Sequence, residues 1–118
     1  MADDDADLVR VFSTFELREM DRLASSEYGM PTLLLMEHAG DAVASTVRET
    51  ASMLDDQKVL FVCGPGSNGG DGYAAARLLL GSGLLVHVVS LASPREGSDA
   101  WTNATMARTF GEIGRAHV

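Results

Sequence analysis

Residues 58 to 80 run from an apolar stretch, Lys58-Val-Leu-Phe-Val-Cys63, through Gly64-Pro65-Gly66-Ser67-Asn68-Gly69-Gly70-Asp71-Gly72 into Tyr73-Ala-Ala-Ala-Arg-Leu-Leu-Leu80. The order is a buried strand, a glycine-packed turn and a helix, and few folds accept it. Five glycines in nine residues predict a backbone that takes positive φ and approaches a ligand with no Cβ in the way. The first amides of the following helix lack helical acceptors, so they can bind an anion such as a phosphate oxygen. A loop at the carboxyl end of a parallel strand is where open α/β sheets bind ligands.

Two familiar loops match in part. Gly64 to Gly69 satisfies G-x-G-x-x-G between a strand and a helix, as a dinucleotide fingerprint requires. That fingerprint also calls for an acid at the end of the second strand to hold the ribose hydroxyls. Here the second strand ends Val88-Val89-Ser90-Leu91, with no acid until Glu96. A phosphate-binding Walker loop would fit Gly64 and Gly69 but needs Lys and Ser or Thr where the chain has Gly70 and Asp71. Neither motif explains Asn68 and Asp71.

Cys63 to Gly72, CGPGSNGGDG, closely resembles the CGPGNNGGDG signature of the NAD(P)H-hydrate epimerases, the YjeF N-terminal domain family. A second segment agrees. Phe15, Glu16, Met20, Asp21, Tyr28-Gly29-Met30-Pro31 and Leu35-Met36-Glu37-His38-Ala39-Gly40 are similar to the family's N-terminal helix pair and its LMENAG stretch. Ser67 and His38 each stand where the family usually has Asn. Ser67 still donates and accepts a hydrogen bond.

The resemblance implies a Rossmann-like open parallel sheet in a three-layer α-β-α arrangement, of which only the N-terminal half is present, because the family's domain is about twice as long. It implies an isomerase that interconverts the R and S epimers of hydrated NADH and NADPH in nicotinamide cofactor repair. Ser67, Asn68, Gly69, Gly70 and Asp71 map onto the substrate-binding run, and Asn68 onto a ligand of a potassium ion, the cofactor implied. The catalytic groups are expected beyond residue 118, so the fragment itself is expected to be inactive. The implied substrate is a small molecule in the cytoplasm. A homodimer is compatible with the family, as is a dehydratase domain fused downstream, which many bacterial members carry. Two other readings remain open: a non-catalytic binding module on the same fold, and an ordinary dinucleotide-binding oxidoreductase, which the missing acid after strand two disfavours.

Of the formal charge of −8, Asp3, Asp4, Asp5 and Asp7 supply half. Residues 1–10 therefore read as a solvated, disordered acidic leader, and residues 11–112 as the partial domain. Lysine occurs once, at Lys58, and the arginines are scattered, so no basic patch argues for nucleic acid. No apolar run approaches the roughly twenty residues of a membrane span. The single Cys forbids an internal disulfide. Ile113 to Val118 is what ATC-GGA-AGA-GCA-CAC-GTC encodes, and that string resembles a common sequencing adapter, with Glu112 half inside it. The expectation is a non-native tail over 113–118, left out of the fold reading, a natural gene continuing past Gly111, and no role for His117.

The predicted order is α-α-β-α-β-α. Ser13 and Glu16 form a capping box, with Phe15, Leu17, Met20 and Leu23 at helical spacing up to Gly29. Pro31 suits a first turn, and Leu34, Leu35, Ala39, Ala42, Val43 and Val47 predict the apolar face of a second helix. Val59 to Cys63 reads as a strand buried on both faces. Gly72 to Leu80 reads as the crossover helix, Leu84 to Val89 as a parallel second strand, and Asp99 to Phe110 as a helix. Cys63 reads as a small buried hydrophobe and His87 as a sheet histidine under a helix. His38 suits a structural role, and Glu37 belongs to the motif without an assignable role. Trp101, Met20, Met30, Met36 and Met53 read as core or subunit-contact residues.

Overall fold

Along this chain helical apolar spacing gives way to two short, nearly continuous apolar runs, and the elements follow. The computed structural model describes residues 8–111 and 113–115, with Arg115 described in its backbone alone. The first seven residues of the acidic leader, Glu112, and the tail from Ala116 to Val118 with His117 lie outside the described residues. The chain divides into two units, Met1–Pro31 and Thr32–Val118.

In the first unit, helix α1 spans Thr14–Ser26. Its capping box is complete: the Ser13 hydroxyl accepts from the Glu16 amide at 3.1 Å, and the Ser13 amide donates to the Glu16 carboxylate at 3.0 Å. These bonds satisfy two end groups and hold the Glu16 carboxyl below its usual range. The helix ends three residues before Gly29, which takes φ +67 and lets the Met30 amide turn back to the Ala24 carbonyl at 2.9 Å.

The second unit contains α2 (Thr32–Leu54), β1 (Lys58–Cys63), α3 (Ser67–Leu79), β2 (Leu85–Ser90), α4 (Asp99–Phe110) and β3 (Ile113–Arg115). Its sheet runs β1-β2-β3, all parallel. Val59, Phe61 and Cys63 lie in register with Val86, Val88 and Ser90 on the covered face. There Cys63, Tyr73, Ala76, Val88 and Ala104 form one apolar cluster, and Ala44, Ala75 and Leu79 a second.

Several expectations need correction. The strands are not buried on both faces: Leu60, Val62 and Leu85 point away from the helices and are 62%, 58% and 56% exposed. His87, in register with Leu60, shares that open face and is exposed, so no helix covers it. Strand alternation sends every second residue to this side, and no described helix of the second unit packs there.

The buried face of α2 is Met36, Gly40, Ala44 and Ala51, while Leu34 and Val43 are exposed. The reason is a close helix crossing. A Cβ on Gly40 would stand 2.6 Å from the Ala74 Cβ and 3.0 Å from the Ala75 amide nitrogen of α3. Small residues make the interface, so ranking positions by hydrophobicity selects the wrong stripe. Met36 is buried, but Met20 and Met53 are exposed, at 43% and 73%, and do not belong to a core.

No strand was predicted beyond Phe110, yet Ile113–Arg115 pairs with Val88, Val89 and Ser90. Strand pairing uses main-chain groups, which almost any sequence can offer.

Candidate functional site

The glycine signature does two separate jobs, and neither uses positive φ. Helix α3 begins at Ser67, five residues earlier than predicted, with Gly66 as its N-cap at φ −90. None of the five loop glycines has positive φ; the glycines that do are Gly29, Gly81, Gly83 and Gly97. Close approach explains three of them instead. A Cβ on Gly69 would lie 1.9 Å from the Gly64 carbonyl oxygen. One on Gly70 would meet Met36 of α2 at 2.6 Å and the Ala100 Cα of α4 at 3.0 Å, and one on Gly72 would meet the Cys63 sulfur at 2.8 Å. Gly64 and Gly66 have no atom within 4 Å of a built Cβ and leave backbone open to a ligand.

The first helical bond of α3 runs from the Gly70 amide to the Gly66 carbonyl at 3.0 Å. The amides of Ser67, Asn68 and Gly69 therefore precede any helical acceptor. Ser67 and Asn68 are exposed, Gly69 and Gly70 buried, and Asp71 half-buried. Asp71 lies in the second turn of α3, inside the helix and not at its cap.

A cavity of about 560 Å³ opens beside this turn. Pro65, Gly66 and Ser67 line it from the glycine loop; Arg95, Gly97, Ser98, Asp99 and Ala100 line it from the loop after β2 and the start of α4. Ser98 caps α4, its hydroxyl accepting from the Trp101 amide at 3.1 Å. Asp99 accepts from the Thr32 hydroxyl at 2.5 Å, tying the starts of α2 and α4 together. Of the residues the sequence nominated, only Ser67 lines this cavity. Arg95, Ser98 and Asp99 were missed. Their signal was positional, since every loop following a parallel strand leaves the same edge of the sheet.

Two interactions hold the surroundings. The Tyr73 hydroxyl donates to the Ser90 hydroxyl at 2.8 Å, and Ser90 donates to the Ala92 carbonyl at 3.0 Å, joining α3 to the end of β2. Glu37, unassigned from the sequence, accepts from the Arg77 guanidinium and so links α2 to α3. Cys63 is buried, and desolvation pushes its thiol up to about 11, which makes it a packing residue and not a nucleophile. His38 is exposed on α2.

Residues 32–115 match the family model described as YjeF-related protein N-terminus. The chain belongs to this family. It is 40% identical over 101 residues to the bifunctional NAD(P)H-hydrate repair enzyme Nnr of Salinibacter ruber, covering 84% of this chain and 19% of that protein. It is 38% identical over 96 residues to the NAD(P)H-hydrate epimerase of Rhodopirellula baltica, covering 80% of this chain and 38% of that one. A crystal structure of the yeast protein ynu0, YNL200c, superposes with a TM-score of 0.75 at 26% identity, over 91% of this chain and 46% of that chain. The chain thus spans less than half the length of each of these relatives. The parallel α/β architecture implied by the signature is the one observed.

Proposed function

We propose that the protein carrying this chain is an NAD(P)H-hydrate epimerase, with residues 11–112 forming part of its catalytic domain. The observation that supports this most is the signature turn itself, Ser67 to Asp71, which starts a helix with open amides beside a cavity. In hydrated NADH or NADPH the added hydroxyl is on a carbon bonded to the ring nitrogen. Protonation of that hydroxyl lets it leave as water, and the nitrogen lone pair stabilises the resulting iminium. Water returning to either face, with loss of a proton, regenerates one epimer or the other. Nothing is oxidised or reduced, so a positioned acid and base are enough.

In this reading Ser67 and the open amides hold the substrate beside Asn68 and Asp71. Gly69 and Gly70 contribute mainly by letting the turn close and the three helices converge. A potassium ion would take Asn68 as one ligand. Its exposed carboxamide supplies a hard oxygen donor of the right chemistry, and such an ion would supply a fixed positive charge near the substrate. The remaining ligands of such an ion are assigned to no described residue. No acid or base is assigned to a described residue. No described helix is long and apolar enough to cross a membrane, and a cytoplasmic setting suits a dinucleotide substrate.

The test is to supply the R epimer of hydrated NADH and follow the S epimer by chromatography. With the full-length protein that carries this chain, interconversion above the spontaneous rate supports the reading, and a rate equal to the protein-free control overturns it.

A further inference from the structure

The cavity beside the glycine turn carries one cation that the family signature does not include. Arg95 lies in the loop after β2, and its carbonyl accepts from the Ser98 amide at 3.0 Å and the Ser98 hydroxyl at 2.6 Å. These bonds fix its backbone against the N-cap of α4 while the residue lines the cavity. Arg95 is exposed, and among the described residues the ion pairs are Arg22 with Glu19 and Arg77 with Glu37, leaving it without one. The one carboxylate on the wall, Asp99, accepts from the Thr32 hydroxyl and is turned toward the start of α2, though it keeps its charge. The remaining wall includes Gly66, whose backbone is open, and Ser67, whose amide precedes any helical acceptor.

A guanidinium presents a rigid fork of donors that matches the oxygens of a phosphate. Without an ion pair among the described residues, it places a positive charge on the surface of a chain of net charge −8. The opening amides of α3 favour the same sign of ligand from the glycine side. The cavity volume falls within the usual range for small-molecule sites, and it would take part of a dinucleotide.

We propose that Arg95 binds a phosphate group of the dinucleotide substrate and so positions it against the glycine turn. The identity of the ligand rests on the epimerase reading, whereas the anion subsite stands on the cavity and its arginine. Two phosphates could fill it, the pyrophosphate bridge common to both cofactors and the ribose 2′-phosphate peculiar to the NADPH form.

The test is calorimetric titration of the protein, its Arg95→Gln variant and its Arg95→Lys variant with inorganic pyrophosphate and, separately, with adenosine 2′,5′-bisphosphate. Arg95→Gln is expected to weaken pyrophosphate at least about tenfold, equivalent to about 1.4 kcal/mol, with Arg95→Lys intermediate and melting unchanged. A loss confined to the bisphosphate would support the proposal and assign the subsite to the 2′-phosphate. Equal affinities for wild type and Arg95→Gln with both probes, or no binding of either probe to the wild type, would overturn it. Epimerisation assays separate the two readings. If Arg95→Gln loses the anion while the wild type fails to epimerise hydrated NADH, the subsite stands and the catalytic proposal falls. If the wild type is active, KM for Arg95→Gln should rise about tenfold with kcat changed less than about twofold.

Discussion

The Gly64 carbonyl oxygen occupies the space that a side chain on Gly69 would need, 1.9 Å from the position of its Cβ. Alanine at 69 would gain about 1 kcal/mol in helix propensity but would force a backbone oxygen aside, and so severe an overlap costs about 3 kcal/mol, the upper end for overpacking. Gly69→Ala is therefore expected to destabilise the protein by about 2 kcal/mol and lower its melting temperature. Gly66→Ala is the contrast, because nothing lies within 4 Å of its Cβ position. It should cost less than about 1 kcal/mol, the penalty of a poorer N-cap, while weakening substrate binding. Equal melting losses in the two variants would contradict the packing account of Gly69.

Tyr73→Phe removes the donor to Ser90 and leaves the Ser90 hydroxyl still bonded to Ala92. A neutral buried hydrogen bond contributes about 1 kcal/mol, so Tyr73→Phe should lose about that much in denaturant unfolding, and Ser90→Ala, which removes both bonds and strands the buried Tyr73 hydroxyl, about 1–3 kcal/mol. The double variant should lose less than the sum, and strict additivity would show that the two hydroxyls are not coupled.

The Glu37 and Arg77 side chains are 37% and 17% exposed, which places this pair between surface and buried ion pairs. The Arg77 Nε is buried without a partner, so losing Glu37 strands a largely desolvated cation. Glu37→Gln is expected to cost about 1–2 kcal/mol, read from denaturant midpoints, and the loss should persist in high salt. Full stability of Glu37→Gln would assign the pair to the surface class.

Asp71 lies within α3, so its substitution removes no helix cap. In the active protein Asp71→Asn should raise KM or lower kcat at least about tenfold. Asn68→Ala should reduce the rise in melting temperature produced by potassium relative to sodium. A folded double variant with wild-type epimerisation and an unchanged potassium response would remove both residues from the site.

Burial raises the Cys63 thiol from its ordinary 9.0 to about 11. A pKa raised in the folded state has no effect on stability well below about 9. As pH climbs from 9 toward 11 the unfolded chain ionises and the folded one resists, so stability falls. Cys63→Ala should flatten that part of the profile, measured by denaturant midpoints across the window. Identical slopes in both proteins would mean that Cys63 is not desolvated as its burial indicates.

Local chemistry made much of the fold readable. Ser13 and Glu16 announced their helix because a capping box is made of neighbours, and Asp99 to Phe110 is helical over the predicted range because Ser98 caps it. The parallel pairing of the first two strands followed from the length of the crossover between them. The chain also carried its family in the run from Cys63 to Gly72. What those glycines are for was not legible. Sequence reasoning gave them positive φ, and the structure uses Gly69, Gly70 and Gly72 for contact with Gly64, Met36, Ala100 and Cys63. The buried stripe of α2 escaped for the same reason, since Gly40 matters through Ala74, which lies on another helix. The sequence by itself determined the elements from α1 to α4, their order and the family, but not β3, because caps, periodicity and motifs are written among residues close in the chain. Only the tertiary structure decided that Arg95 and Asp99 face Ser67 across one cavity, because that depends on two loops leaving the same edge of a parallel sheet.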